Sequence, residues 1–209
     1  MEKTSFNRPL SMIEWGVAAR ALPGQRVSGD LHLIKPFTNG ILIAVADGLG
    51  HGDEATAAAK VAINTLANHA HEPIPSLVHR CNESLASTRG VVMTLAALQL
   101  IDESITWVGI GNVECSLIRA ETTKHPSENV LLRGGVLGYQ TPTLQTRVVP
   151  IVRGDLLIFA TDGIRTGFTD VVTHGDSPQQ IADRIMERHF KGTDDALVLV
   201  VRYLGLRHD

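Results

Sequence analysis

Ile41-Leu42-Ile43-Ala44-Val45-Ala46-Asp47-Gly48 is an unbroken apolar run that ends in a carboxylate and a glycine. Six successive apolar residues, several of them β-branched, read as a strand buried on both faces. Leu156-Leu157-Ile158-Phe159-Ala160 repeats the pattern and leads through Thr161 into Asp162-Gly163. A third run, Ala196-Leu197-Val198-Leu199-Val200-Val201, carries its acids at the other end, opening on Asp194-Asp195. A fourth site, Asp30 in Val27-Ser28-Gly29-Asp30, precedes another strand-like segment. A carboxylate at the rim of a buried strand is costly unless a cation or a hydrogen-bond donor meets it. Each Asp taken alone is equally well a turn or helix-cap residue, since Asp-Gly is a common turn dipeptide. Several such ends converging would make an all-oxygen site for hard divalent cations. A dinuclear centre of that kind activates water for phosphoryl transfer.

Outward from these runs, the pattern predicts strands over 12–20, 31–37 and 40–46, the last two joined near Thr38-Asn39-Gly40, where Asn-Gly signals a hairpin. Residues 53–70 are Ala-rich with helical spacing, and Pro73 and Pro75 end that pattern. A second helix is predicted over 76–88 with Ser76 as its N-cap. Strands follow over 91–101, 105–110 and 113–119, then an exposed loop over 120–130. Two further strands, 144–152 and 155–160, flank a turn at Arg153-Gly154; a helix over 178–190 and a closing strand over 196–204 complete the chain. Grouped strands and grouped helices mean α+β with antiparallel sheets. Roughly nine to eleven strands exceed one comfortable open sheet, so two stacked sheets covered by helices are expected. No shift in composition marks a linker, so residues 1–209 are expected to form one domain with no appended sensor domain.

Bulk properties exclude several function classes. The chain has 209 residues, is 44% hydrophobic and only 4% aromatic, so aliphatic side chains must build its core. A formal net charge of −3 with both signs interspersed argues against a nucleic-acid surface or a polybasic membrane surface. Met1–Arg8 lacks the apolar stretch of a signal peptide, and no run approaches the ~18 apolar residues of a membrane span. A soluble, cytoplasmic protein is expected. Cys81 and Cys115 have no CxxC spacing and read as reduced, partly buried hydrophobes. His69 and His71, two apart, would face different directions on a helix. The glycines of Gly48-Leu49-Gly50-His51-Gly52 sit where a dinucleotide fingerprint would, but residue 53 is Asp and Asp47 would repel a pyrophosphate. They make better sense as backbone freedom beside Asp47, with the Gly48 carbonyl able to meet a cation.

In order and context these motifs resemble the metal-dependent protein phosphatase family (protein phosphatase 2C-like), in its bacterial branch of sporulation and stress phosphatases. The likeness runs over about residues 12–204 and rests on Ser28-Gly29-Asp30, Val45-Ala46-Asp47-Gly48-Leu49-Gly50-His51-Gly52, Ala160-Thr161-Asp162-Gly163 and Asp194-Asp195. Arg80-Cys81-Asn82, Arg89-Gly90, Gly111-Asn112-Val113 and Gly138-Tyr139 look similar to the stressosome feedback phosphatases of that branch. The resemblance implies a four-layer αββα sandwich with a dinuclear Mn2+ or Mg2+ centre in a cleft at one edge. Carried over by position, Asp47 would bridge two metals, the Gly48 carbonyl would bind one, and Asp162 and Asp194 the other. Asp30 would act directly or through a metal-bound water. Asp194 is chosen because the family's ligand stands first in its acidic pair, and Asp195 would turn away to hydrogen-bond nearby backbone.

The implied activity is hydrolysis of phosphoserine or phosphothreonine on a protein, with phosphorylated stressosome scaffold proteins as expected substrates and a monomer as expected state. The alternative is a catalytically weak metal-binding interaction module of the same fold. Two departures from the eukaryotic pattern stand out: Gly29 replaces an acidic residue, and Leu49 replaces a His proposed as general acid; His51, two positions further on, could serve and is equally a solvated loop residue. No proton donor is assigned. Arg20, Arg26 and Arg165 are candidate phosphate contacts and equally candidate surface charges. Arg133 to Gln145 is too short for the flap subdomain of some relatives, so an open cleft suited to a folded protein is expected.

Overall fold

The apolar run at 41–46 is a strand because both of its faces are covered. The computed structural model describes residues 9–121 and 127–205; Met1–Arg8 and part of the loop expected over 120–130 lie outside the described residues. In chain order the elements are β1 (Ile13–Arg20), β2 (Asp30–Phe37), β3 (Gly40–Gly48), α1 (Asp53–His69), α2 (Ile74–Ser84), β4 (Val91–Gln99), β5 (Ser104–Ile110), β6 (Glu114–Ile118), β7 (Glu128–Asn129), β8 (Leu132–Arg133), β9 (Arg147–Pro150), β10 (Leu156–Ala160), α3 (Pro178–His189) and β11 (Ala196–Tyr203). Short 3-10 turns occupy Pro9–Met12 and Phe168–Val171.

One sheet runs β1-β11-β10-β6-β7 and the other β2-β3-β4-β5-β8, with β9 also on β5. Pairing is antiparallel throughout except for the short β5–β8 contact. Along β3 the side chains alternate between two cores. Ile41, Ile43 and Val45 meet Trp107, Phe159, Leu197 and Leu199 between the sheets. Leu42, Ala44 and Ala46 meet Ala58, Ala62, Leu66 and Leu77 beneath α1 and α2. On the other sheet, Leu156, Ile158, Val198 and Val200 face Ile181, Ala182 and Ile185 of α3. The layers are therefore α1/α2, sheet, sheet, α3, which is the αββα sandwich. Each fully buried Leu, Ile, Val or Phe contributes about 1.5–3 kcal/mol of burial free energy, so a strand buried on both faces is fixed in register.

One local expectation needs correction and two gain detail. The second helix starts at Ile74, not near Ser76: Pro73 is its N-cap, and Pro75 lies in the first turn, where a missing N–H costs nothing. The β2–β3 turn consists of Thr38 and Asn39, with Phe37 opposite Gly40. Gly40 is needed for contact rather than for the turn, since a Cβ there would lie 2.3 Å from the Leu98 carbonyl oxygen. The strands flanking Arg153-Gly154 do not pair with each other: β9 joins β5 in one sheet, and β10 lies between β6 and β11 in the other. Gly154 takes the sharp bend at φ +93°. Asp155 fixes the crossing, accepting from Ala120 N at 2.8 Å, Val152 N at 3.1 Å and the buried Arg119 guanidinium at 2.9 Å.

The α3 layer sits unusually close to β1. A Cβ on Gly16 would lie 2.3 Å from the Gln179 backbone. Gly16→Ala should therefore lift the helix and destabilise the protein by about 1–3 kcal/mol, read as a lower midpoint in urea denaturation.

Candidate metal centre

The aspartates predicted from the sequence come together at one end of the sandwich, and strand register is the cause. Asp30 opens β2 and Asp47 lies near the end of β3, directly opposite it in the antiparallel ladder. Like charges directly opposite on neighbouring strands repel. Asp162 stands just past the end of β10, and Asp194 and Asp195 stand just before β11. Because β10 and β11 are antiparallel neighbours with Ala160 opposite Val198, these acids emerge at the same sheet end. One hydrogen bond ties the two sheets together there: Thr161 Oγ1 donates to Asp30 Oδ2 at 2.8 Å. The same hydroxyl oxygen accepts from Leu197 N at 2.8 Å, so its proton is directed at the carboxylate.

Each acid has a different environment. Asp30 is buried, and burial first, with charges from Asp195, Asp162 and Asp194 adding, pushes its carboxyl up to about 7 despite the Thr161 bond. Asp47 is pushed up to about 9 by burial and then by the charges of Asp30, Asp162, Asp194 and Asp195. Asp162 is raised by burial and by Asp194, and held back by Lys191 and by Asn112. Asn112 Nδ2 donates to Asp162 Oδ2 at 2.8 Å, and Lys191 Nζ donates to the Asp162 carbonyl at 2.5 Å. Asp195 is buried and turned inward, as predicted: its carboxylate accepts from Leu22 N and Gly29 N, both at 2.7 Å. Asp194 Oδ1 accepts from Asp195 N at 2.8 Å, and Asp194 stays half-buried at the opening.

The glycines around the acids allow close approach. A Cβ on Gly48 would lie 2.0 Å from the Ala55 carbonyl oxygen, and one on Gly163 1.9 Å from that of Asp195. At Gly29 a Cβ would be 2.9 Å from Ala55 Cβ and 3.3 Å from Asp195 Oδ2. The absence of an acidic side chain at that position thus has a local reason: the first turn of α1 and the Asp195 carboxylate occupy its space. Leu49 packs against the core between the sheets, and its N–H donates to Gly90 O at 3.1 Å.

Other candidates fall away from the acids or stay at the rim. Arg20 places its guanidinium 5.4 Å from the Phe190 ring centroid, a cation–π contact. Arg26, Arg165 and His51 are exposed. Residues 133–145 fold back on α2 and the start of β4, with Leu137 bridging Val91 and Gly138 N donating to Asn82 Oδ1 at 2.9 Å, so no flap forms there. Cys81 and Cys115 are free thiols and fully buried, more so than expected, and burial pushes the Cys81 thiol up to about 12. Thr161 and Asn112 stand within the sequence motifs, which assign a role to neither. The signal for Thr161 was its position, a hydroxyl between a buried strand and an acid; nothing near Asn112 pointed to Asp162, fifty residues on.

The donors fit a hard divalent cation, being carboxylate and carbonyl oxygens with uncompensated negative charge. Among the described residues no three acidic, imidazole or thiol groups already close into a ligand set. Burial, and after it the charges of the neighbouring aspartates, raises Asp47 and Asp30, which is the strain a cation would relieve.

Residues 38–204 match the family of Stage II sporulation protein E (SpoIIE). The chain belongs to the SpoIIE family. The family match takes in Asp47, Gly48, Asp162 and Asp194, and Asp30 falls just before it. Among relatives, the phosphoserine phosphatase RsbX of Bacillus subtilis (strain 168) is 26% identical over 165 residues, covering 78% of this chain and 80% of that protein. A chain solved in work on "The bacterial stressosome: a modular system that has been adapted to control secondary messenger signaling" superposes with a TM-score of 0.83 at 28% identity, covering 91% of this chain and 99% of that one. A crystal structure of RsbX in complex with magnesium gives a TM-score of 0.82 at 23% identity, covering 91% and 95%. This SpoIIE family member therefore shares the phosphatase fold over nearly all of its described length.

Two outcomes are expected. Asp47 and Asp30 have folded-state pKa values of about 9 and about 7, above the ordinary 3.8. The folded protein then binds more protons than the unfolded chain across that window, so stability from these groups is full below about pH 4 and lost as pH rises through about 7 and about 9. Chelator-treated protein should melt lower at pH 9 than at pH 6, Mg2+ or Mn2+ should raise the melting temperature more at pH 9, and Asp47→Asn should flatten both trends. Thr161→Val should weaken Mg2+ binding about tenfold in a calorimetric titration while Thr161→Ser restores it, a loss of roughly 1.4 kcal/mol.

Proposed function

We propose that this metal-dependent protein serine/threonine phosphatase removes phosphate from phosphorylated stressosome scaffold proteins, using divalent cations held by Asp30, Asp47, Asp162, Asp194 and the Gly48 carbonyl. The observation that carries the site is the cross-strand pair Asp30–Asp47, two carboxylates that fold directly opposite each other beside Asp162 and Asp194. A fold does not gather that much like charge at a sheet end without a cation to receive it. Two Mn2+ or Mg2+ ions, when bound, supply neutralisation of phosphate charge and activation of water towards phosphorus.

The chain's own residues have separate tasks. Asp47 and Asp30 supply the densest charge, and Thr161 holds Asp30 against rotation. Asn112 orients Asp162, and the Lys191 ammonium favours its ionised form. Asp195 secures the loop before β2 through Leu22 N and Gly29 N, which sets the position of Asp30. Catalysis of this kind rests on positioning and electrostatics, with no covalent intermediate required. Neither buried cysteine is a candidate nucleophile, because its thiol is held protonated. The likeness to RsbX and to the stressosome chain supports a scaffold protein as substrate. The 133–145 segment, folded back on Val91 and Asn82, supports a site reached by a folded partner. A monomer, a single catalytic domain and a cytoplasmic location accord with this role; among the described residues no helix is long and apolar enough to cross a membrane.

Phosphate release from a phosphoserine-bearing scaffold protein, with Mn2+, with Mg2+ and with chelator, tests the proposal. Wild type should be active only with metal, and Asp47→Asn should lose at least about a hundredfold in kcat/KM, a deficit of roughly 2.7 kcal/mol. Asp194→Asn should weaken metal binding at near-native stability. Asp195→Asn should lower stability by about 1–3 kcal/mol, the cost of stranding buried N–H donors, with metal affinity better kept. Metal-dependent turnover of para-nitrophenyl phosphate without release from the scaffold protein would keep the chemistry and reject the substrate.

A further inference from the structure

Arg89 stands at the mouth of the aspartate cluster with its guanidinium occupied by a carboxylate that carries no known role. Its place follows from β pairing. Gly48 is opposite Val91 in the β3–β4 ladder, and Leu49 N donates to Gly90 O at 3.1 Å. Arg89 is thereby set beside the loop that leaves Asp47. A Cβ on Gly50 would lie only 2.8 Å from Arg89 Nη1, so the guanidinium lies across the glycine loop. Arg89 Nη2 pairs with Glu54 Oε2 in the first turn of α1. Both side chains are accessible, 50% and 68% exposed. Ala55, the next residue, presses its backbone on Gly48, which places the ion pair at the opening.

The chemistry of this pair points outward. With Nη1 against Gly50 and Nη2 on Glu54, Arg89 lies on the loop that follows Asp47, beyond the carboxylates themselves. A guanidinium takes a carboxylate in a forked, directional contact, and Glu54 shows that the rim accommodates one. Exposed ion pairs of this kind contribute little to folding stability and exchange partners readily. An acidic segment approaching five aspartates would be repelled unless a cation met it at the edge.

We propose that Arg89 is a specificity-determining residue that receives a carboxylate side chain flanking the phosphorylated residue of the protein substrate, with Glu54 occupying the guanidinium until the substrate displaces it. This rests on the phosphatase function proposed above and adds to it a preference for acidic flanks. Glu54 is a built-in competitor, so removing its charge and removing the guanidinium have opposite consequences.

The test compares phosphoserine peptides with Glu or with Gln flanking the phosphorylated residue, for wild type, Arg89→Ala, Arg89→Lys and Glu54→Gln. Wild type should prefer the Glu-flanked peptide roughly three- to tenfold in kcat/KM, mainly through KM. Arg89→Ala should erase the preference, Arg89→Lys should keep part of it, and Glu54→Gln should enlarge it. A merely structural ion pair would shift both Arg89→Ala and Glu54→Gln in the same direction, which overturns the proposal, as does a preference that survives in Arg89→Ala. Fluorescence anisotropy of the same peptides on the full chain in chelator measures the ratio of Kd values without turnover. If wild type releases phosphate neither from any peptide nor from para-nitrophenyl phosphate, the phosphatase function fails, and the Kd ratios still decide the role of Arg89.

Discussion

Two carboxylates placed opposite each other by backbone register form the constraint on which this end of the molecule depends. The pairing of Asp30 with Asp47 is not optional, because shifting β2 by one residue would turn its whole side-chain set over. β3 has no freedom to shift either, since Ile41, Ile43 and Val45 are locked between the sheets and Leu42, Ala44 and Ala46 beneath the helices. Core burial therefore imposes the electrostatic repulsion, and neighbouring groups make it tolerable. Thr161 reaches from the opposite sheet to Asp30, and Asp195 gathers Leu22 N and Gly29 N. Without cations, protonation is the remaining relief, which is the direction in which Asp30 and Asp47 are pushed.

The layers divide the work between packing and chemistry. Small residues on both sides of the helix–sheet contact, among them Ala44, Ala46, Ala58 and Ala62, let α1 lie close to β3. That closeness makes Gly48 necessary, because any side chain would meet the Ala55 carbonyl. It also explains Gly29, whose neighbours are the same Ala55 and the Asp195 carboxylate. A departure from the eukaryotic motif that looks in the sequence like a lost acid is, in space, a consequence of how tightly the first helix is seated.

Much of this was legible in the chain itself. Apolar runs ending in Asp47 and Asp162, and opening after Asp194-Asp195, announced strands with charged rims, and the grouping of strands announced two sheets. Asp195 turning to backbone came instead from the family resemblance, in which the first acid of the pair is the ligand. Less legible was anything depending on contacts between distant segments. Arg153-Gly154 reads as a turn between strands, but local sequence cannot say which sheet each flank joins; the buried Arg119–Asp155 pair spans that crossing, across thirty-six residues. Asn39-Gly40 reads as a turn by composition, yet Gly40 serves the Leu98 carbonyl. Asn112 meets Asp162 only because β6 and β10 are neighbours.

The positions of the few cations near the acids complete the electrostatic logic. Lys191 acts on Asp162, the acid nearest the opening on the β10 side, and favours its ionised form. No comparable charge acts on Asp47, whose surroundings are burial and other aspartates. The deepest carboxylates are thus left without a basic side chain, while at Asp162 Lys191 offsets part of the rise that burial and Asp194 cause. Arg20 is withdrawn onto Phe190, and Arg89 is engaged by Glu54 at the rim. A cation placed any deeper would compete with a divalent ion for the same oxygens and weaken its binding. Keeping basic side chains at the edge and acids at the centre would separate the two tasks proposed for this site, holding metal inside and meeting an anionic partner outside.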